Sequence, residues 1–266
     1  MRASRFLIVC ASLAALAACD DSDVSSPSRP ELAGVRYINA LADTTSVDIR
    51  MVDQIEWSAT ANNLAFTGGT EHWPTEAKAR HIRVFAFLSS NPTIDNVSKL
   101  LLDTTITFTA NSKVTLLLTG SARARTVRFV TINDDPPAAA AGQIAVRAVN
   151  ASTGVVDAYF VAAPTDPISG APSAGGLGAE AASAYVTRSA GNVALRVTDR
   201  GSTTANASVA GPASPVGATG TLPAAGVNTA GSAFSVYYFP RGVAGSPQNA
   251  ITTPSIVWFV DRVPTA

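Results

Sequence analysis

Leu102-Asp103-Thr104-Thr105-Ile106-Thr107-Phe108-Thr109 alternates residue by residue, with Leu102, Thr104, Ile106 and Phe108 on one face and Asp103, Thr105, Thr107 and Thr109 on the other. A period of two predicts a half-buried β-strand. The pattern resumes after a turn at Asn111-Ser112, with Val114, Leu116 and Leu118 on one face. It recurs at Ile82, Val84 and Ala86, at Val193, Leu195 and Val197, and at Phe234, Val236 and Tyr238. No sustained 3.6-residue stripe follows the N-terminal segment; Glu76 to His81 reads equally as one helical turn or a loop.

The chain also resembles itself. Val35-Arg36-Tyr37-Ile38-Asn39-Ala40 matches Val146-Arg147-Ala148-Val149-Asn150-Ala151, and Ser46-Val47-Asp48-Ile49 is echoed by Val155-Val156-Asp157-Ala158. Ile82-Arg83-Val84 answers Leu195-Arg196-Val197, and Phe129 to Asn133 answers Ile256 to Asp261. Self-similarity at this period indicates a duplicated unit, each copy being the size of one sandwich domain. The expected fold is all-β: two tandem immunoglobulin-like antiparallel β-sandwich domains, at 34–135 and 142–266, following a signal peptide and a disordered tether. Residues 136–141, Pro-Pro followed by alanines, read as a short, stiff linker. Gly201 to Gly231, rich in Gly, Ala, Ser, Thr and Pro, reads as a mobile excursion between strands.

The N-terminus carries an address. Arg2 and Arg5 precede an apolar run from Phe6 to Ala18, then Cys19 and the acidic Asp20 and Asp21. This is the order of a secretory signal, and the run is too short for a spanning helix, which needs about 20 residues. Leu16, Ala17, Ala18 and Cys19 resemble the lipobox of bacterial lipoproteins, in which the cysteine thiol carries a diacylglyceryl group. Residues 1–18 are therefore expected to be a signal peptide and Cys19 the lipidated N-terminus. The Ser/Pro-rich stretch from 19 to 33 is expected to be a flexible tether. Cys10 lies in the signal and Cys19 is taken by lipid, so no disulfide is expected. Removing Arg2 and Arg5 leaves 17 basic against 19 acidic residues, a balance that offers nucleic acid no attraction.

Together, Val-Arg-x-x-Asn-Ala, Val47-Asp48-Ile49, Leu101 to Ile106 and the Asn133-Asp134-Asp135-Pro136 exit before a second Val-Arg-x-x-Asn-Ala resemble tandem copies of the bacterial domain of unknown function 4397. The resemblance is strong in the first copy and loose in the second. It implies an exported, often lipid-anchored sandwich and no activity. The family's first strand commonly ends in a histidine where Asn39 and Asn150 stand here.

Motifs for chemistry are sparse. His72 and His81 are the only histidines, nine apart, with no cysteine to complete a metal site, and both read as surface residues. Neither a Gly-x-Ser-x-Gly elbow nor a His-Glu-x-x-His motif occurs. Gly176-x-Gly178-x-x-Ala181 reads as a glycine-rich loop, since no βαβ unit surrounds it. Asp48, Asp157, Arg36 and Arg147 recur in both copies and read as structural groups satisfying turn amides and carbonyls. Asn133-Asp134-Asp135 could offer oxygen ligands to Ca²⁺, but turn and linker chemistry accounts for it. Trp57, Trp73 and Trp258 are candidates for a carbohydrate platform, with core packing the preferred fate. No catalytic residue, metal ligand or cofactor is assigned. The sequence thus points to a non-catalytic cell-envelope protein, held to a membrane through lipid on Cys19, that acts as a scaffold or as an adhesion-type binding module for an envelope or extracellular partner. The alternatives are a secreted hydrolase or carbohydrate-active protein with a shallow site, and a calcium-stiffened adhesin.

Overall fold

The computed structural model describes residues 29–54, 60–87, 99–213 and 225–264. The signal peptide, the lipobox, Cys19 and Trp57 lie outside the described residues, as do 214–224 of the glycine-rich excursion. Eight strands form a first set: β1 (Leu32–Asn39), β2 (Val47–Met51), β3 (Ala61–Leu64), β4 (Trp73–Glu76), β5 (Ala79–Ala86), β6 (Lys99–Thr107), β7 (Lys113–Thr119) and β8 (Arg128–Asn133). A second set repeats them: β9 (Gln143–Asn150), β10 (Val156–Val161), β11 (Ala174–Leu177), β12 (Val186–Ser189), β13 (Ala194–Asp199), β14 (Ala205–Ala210), β15 (Ala233–Phe239) and β16 (Ser255–Arg262). β14 falls inside the segment read as an excursion, and Glu76 to His81 joins two strands, β4 and β5, instead of making a helical turn.

The sheets are ordered β4-β1-β7-β8 with β3-β2-β5-β6 in the first copy, and β12-β9-β15-β16 with β11-β10-β13-β14 in the second. Each order maps onto the other strand for strand, so the repeat seen in sequence is a repeat of topology. Pairing is antiparallel except for β1 with β7 and β9 with β15, which run parallel. Those partners are distant in sequence, and parallel neighbours require a long crossover that no local turn signal announces.

The alternation of β6, β5 and β13 fills two separate cores. One holds Val35, Tyr37, Ile49, Val84, Leu116 and Leu118; the other holds Val146, Ala158, Leu195, Val197, Phe234 and Val236. A third core lies between the copies. Ile38, Phe66, Leu117 and Ile132 from the first sandwich meet Val149, Tyr237 and Phe239 from the second. Tyr237 packs edge-on against Phe259, and Phe66 against Phe239. Strands β1, β7, β9 and β15 are consequently buried on both faces over most of their length. Four sheets stack as four layers, and residues from Leu32 onward form one compact unit.

Asp48 and Asp157 explain their recurrence locally. The β2–β3 and β10–β11 ladders slip register between Val47 and Ile49 and between Val156 and Ala158. Opposite each slip, a residue in the left-handed region, Asn63 (φ 51°) or Gly176 (φ 60°), turns its amide out of the ladder. Asp48 accepts that amide from Asn63 at 2.8 Å, and Asp157 accepts it from Gly176 at 2.6 Å. The other Asp157 oxygen accepts the Gly201 amide at 2.7 Å. A bulge leaves a backbone donor unpaired, and a carboxylate at this position satisfies it.

Candidate functional site: the seam between the sandwiches

Because side chains alternate along a strand, β1 sends Val35 and Tyr37 into its own sandwich and Arg36 and Ile38 to the seam. β9 repeats this, with Val146 and Ala148 inward and Arg147 and Val149 on the seam. The two arginines are buried, and each finds its counter-charge across the joint. Arg36 Nη1 donates to the Val260 carbonyl at 3.1 Å, and its Nη2 donates to Asp261 Oδ1 at 2.7 Å and to Asp134 Oδ2 at 3.1 Å. Arg147 Nη1 donates to the Asn133 carbonyl at 2.6 Å, and its Nη2 donates to Asp134 Oδ1. Within its own sheet Arg36 Nε donates to Thr115 at 2.8 Å, as Arg147 Nε does to Ser235 at 2.7 Å. Each arginine therefore reaches the carbonyl that precedes the other sandwich's aspartate, a reciprocity that gives the seam an approximate two-fold symmetry.

The remaining capacity of the carboxylates is filled. Asp134 Oδ2 also accepts from Thr115 at 2.5 Å and bonds His72 Nε2 at 2.8 Å. Asp261 Oδ2 accepts from Ser235 at 2.7 Å and from the Tyr185 hydroxyl at 2.9 Å. Arg147 stacks over the Tyr185 ring at 4.4 Å, and Arg36 over Phe259 at 5.5 Å. Burial by itself would raise the Asp134 pKa, but the His72 hydrogen bond, the Arg36 charge, Thr115 and Arg147 outweigh it and hold the carboxyl below its ordinary value. Burial would likewise lower Arg36; the surrounding Tyr237, Asp261 and Asp134 reverse that and keep it charged. For Tyr185, burial and then the Asp261 charge push the phenol well above its usual range. The arginines and aspartates of the seam are thus paired with one another in a buried setting, where such bonds are strong and an unpaired member is costly.

Clefts open along the joint, among them one at each end. One is lined by Lys113, Arg262, Asp135 and the β6–β7 turn around Asn111. Here Arg262 is engaged in holding backbone, donating to the carbonyls of Gly231, Pro136 and Pro137. The other cleft lies between Ala40, Ala42 and Ala151 on one side and the β15–β16 connection, from Pro240 to Thr252, on the other. That connection grips the first sandwich: the Val243 amide donates to the Ala42 carbonyl at 3.0 Å, and Gln248 Nε2 to the Thr44 carbonyl at 2.9 Å.

These positions revise several expectations. Asp134, read as linker chemistry or a calcium ligand, is a buried ion-pair partner, and no cluster of three or more metal-ligating side chains occurs among the described residues. His72 is nearly buried against Asp134 instead of lying on the surface, whereas His81 is half-exposed beside Asp103 on another sheet. Trp258 packs in the second core and Trp73 is exposed. Asn39 and Asn150 close the turns after β1 and β9, donating to the Leu64 carbonyl at 2.9 Å and to the Leu177 carbonyl at 3.0 Å. Asp261 was aligned with Asn133 in sequence, but the ladders set Ile132 opposite Thr115 and Phe259 opposite Ser235, making Asp134 its counterpart. That one-residue shift hid the pairing of the two aspartates.

Residues 33–159 match the family model described as a domain of unknown function, DUF4397. That segment belongs to the DUF4397 family. The match covers the first sandwich from Ala33 and ends inside β10, so most of the second sandwich lies beyond it. No curated protein matches the chain. Among solved structures, one described as alpha-glucan recognition by family 41 carbohydrate-binding modules from streptococcal virulence factors is similar at 12% identity, covering 64% of this chain and 81% of that one. Its TM-score is 0.20, and at that level the likeness carries no argument about fold or ligand.

Proposed function

We propose that this protein is a non-catalytic, lipid-anchored component of the cell envelope whose paired sandwiches serve as a rigid binding scaffold. The observation that supports the scaffold reading is where the recurrent charged residues stand. Arg36, Arg147, Asp134 and Asp261 are committed to the seam, and Asp48 and Asp157 to bulge amides. None of the six retains a free, solvent-facing donor or acceptor pair of the kind that acid–base work requires. The anchor reading rests on Leu16, Ala17, Ala18 and Cys19, because several acyl chains hold a protein to a bilayer at about 0.8 kcal/mol per buried methylene.

Cells expressing the wild-type chain and Cys19→Ser would be fed an alkyne fatty acid and fractionated. Label on the wild type alone, with the variant lost from membranes, supports the anchor. Equal labelling, or membrane retention of an unlabelled Cys19→Ser protein, overturns it. Globomycin, which blocks lipoprotein signal cleavage, is expected to make the wild-type precursor accumulate.

A further inference from the structure

The cleft beneath the β15–β16 connection has a chemistry of its own. It encloses about 680 Å³, within the range of small-ligand sites, which favour domain interfaces. Its floor is Ala40, Ala42 and Ala151, buried residues whose small side chains leave the volume open. Arg241 is the single charged residue that lines it, and among the described residues it has no hydrogen-bond or ion-pair partner. Thr153, Asn249 and Thr252 line it too, and their side chains are likewise without partners among the described residues. In both loops that bound the cleft a glycine lets backbone segments pack closely. A Cβ at Gly120 (φ 101°) would meet the Thr126 carbonyl oxygen at 2.2 Å, and one at Gly242 would meet the Gln248 carbonyl oxygen at 1.8 Å. The Gly242 amide donates to the Ile251 carbonyl at 2.8 Å, and the Val243 amide to the Ala42 carbonyl at 3.0 Å, which holds the connection over the cleft.

A lone guanidinium matches one carboxylate, which it can hold through two parallel hydrogen bonds. A phosphate dianion would call for a second cation, and the cleft offers none. Three side chains with unused hydroxyl and amide groups ask for a ligand rich in hydroxyls. Pro240, Val243 and Ile251 supply apolar contact for the carbon face of a ring. The cleft at the opposite end of the joint lacks this logic, since its lining mixes Lys113 and Arg262 with Asp134, Asp135 and Asp261.

We propose that this cleft binds a hydroxyl-rich monocarboxylate of the uronic acid class, with Arg241 on the carboxylate and Thr153, Asn249 and Thr252 on the hydroxyls. The proposal deepens the binding-scaffold reading, and its outcome is independent of lipid incorporation at Cys19, so either can fail alone. The full chain in detergent would be titrated calorimetrically with D-glucuronate, D-glucose, acetate and a galacturonate trimer, as wild type, Arg241→Gln and Thr153→Trp. Glucuronate is expected to bind at least about tenfold more tightly than glucose or acetate. Arg241→Gln should erase that preference, and Thr153→Trp should block the cleft. Both substituted residues are exposed, so melting temperatures should stay at the wild-type value, which separates lost binding from lost folding. Tighter binding of the trimer marks a residue within a polymer as the natural ligand, and equal binding marks the free acid; both support the site. No heat with either uronate, equal affinity for glucose or acetate, or undiminished binding by Arg241→Gln overturns it.

Discussion

Replacing Asp134 with asparagine keeps the side chain's shape and removes one of the two anions that face Arg36 and Arg147. In the native seam Asp134 takes hydrogen bonds from Arg36, Arg147, Thr115 and His72. In Asp134→Asn both guanidiniums stay buried, Arg36 keeping Asp261 while Arg147 loses the one carboxylate it pairs with among the described residues, and an amide nitrogen faces donors. Breaking a buried pair by removing one partner costs about 3–5 kcal/mol, chiefly because a buried charge is left uncompensated. Against a typical total of about 5–15 kcal/mol this is a large fraction, equivalent to roughly 6–20 °C in melting temperature for a unit of this size. Equilibrium urea unfolding followed by tryptophan fluorescence measures it. Asp103→Asn is the control, because Asp103 pairs with His81 and Arg83 on an exposed face, where solvent screens the pair and little stability should be lost. The pH dependence has a definite sign. The folded Asp134 carboxyl sits below the ordinary 3.8, so its stabilisation is present above the unfolded pKa and is lost as pH falls through the folded value. The gap between wild type and Asp134→Asn should thus be full at neutral pH and close at pH below about 4. If Asp134→Asn unfolds within about 1 kcal/mol of wild type, or if the gap persists unchanged in strong acid, the seam does not depend on this ion pair.

A protease site inserted among Ala138 to Ala141 and then cleaved should leave the two halves co-eluting on size exclusion, because the third core and the reciprocal arginines hold them; halves that separate would show that the linker alone joins them. Leu117→Ala, which empties a buried position in that core, is expected to cost about 2–5 kcal/mol by the same unfolding assay, and a cost under 1 would place Leu117 outside the core. Asp157→Asn weakens acceptance of the Gly176 and Gly201 amides and should cost about 1–3 kcal/mol, whereas Arg50→Gln on the exposed sheet face should be near neutral. Millimolar Ca²⁺ should leave the melting temperature of the full chain unchanged, since protein donors already occupy Asp134; a rise of many degrees would restore a cation to the joint.

The strands were legible where one face met solvent. Leu102 to Phe108 alternates because β6 is an edge strand with a wet side, and Ile82 to Ala86 keeps the phase expected of it. The duplication was legible as well, since Arg36 and Arg147 occupy the same register position in β1 and β9. What escaped was the seam. In β7, Thr115, Leu117 and Thr119 lie on the face that simple alternation assigns to water, and Ser235, Tyr237 and Phe239 do so in β15. The runs Val114 to Leu118 and Ala233 to Phe239, apolar except for Thr115 and Ser235, carried the signal, because strands buried on both faces read as nearly continuous apolar stretches. Asp134 was harder to place: in composition it is a turn residue beside Pro136, and only the three-dimensional meeting of β1, β8 and β9 turns it into an ion-pair partner. Arg241 stands in an irregular connection without period or motif, so no local pattern distinguished it from any other surface arginine.

The reciprocity of the seam also bears on how such chains change over generations. Each arginine reads a carbonyl and a carboxylate that belong to the other half. Losing Arg36 would deprive Asp261, over two hundred positions away, of its guanidinium, and losing Arg147 would take one of the two guanidiniums from Asp134. Two copies that began alike can diverge freely on their outer sheets, as Arg50 against Tyr159 illustrates, while the inner faces must drift together. A second sandwich transplanted from another protein would need to bring its own arginine, hydroxyl and aspartate in the same register to be accepted. The unit that has to stay matched in this chain is the pair of sandwiches.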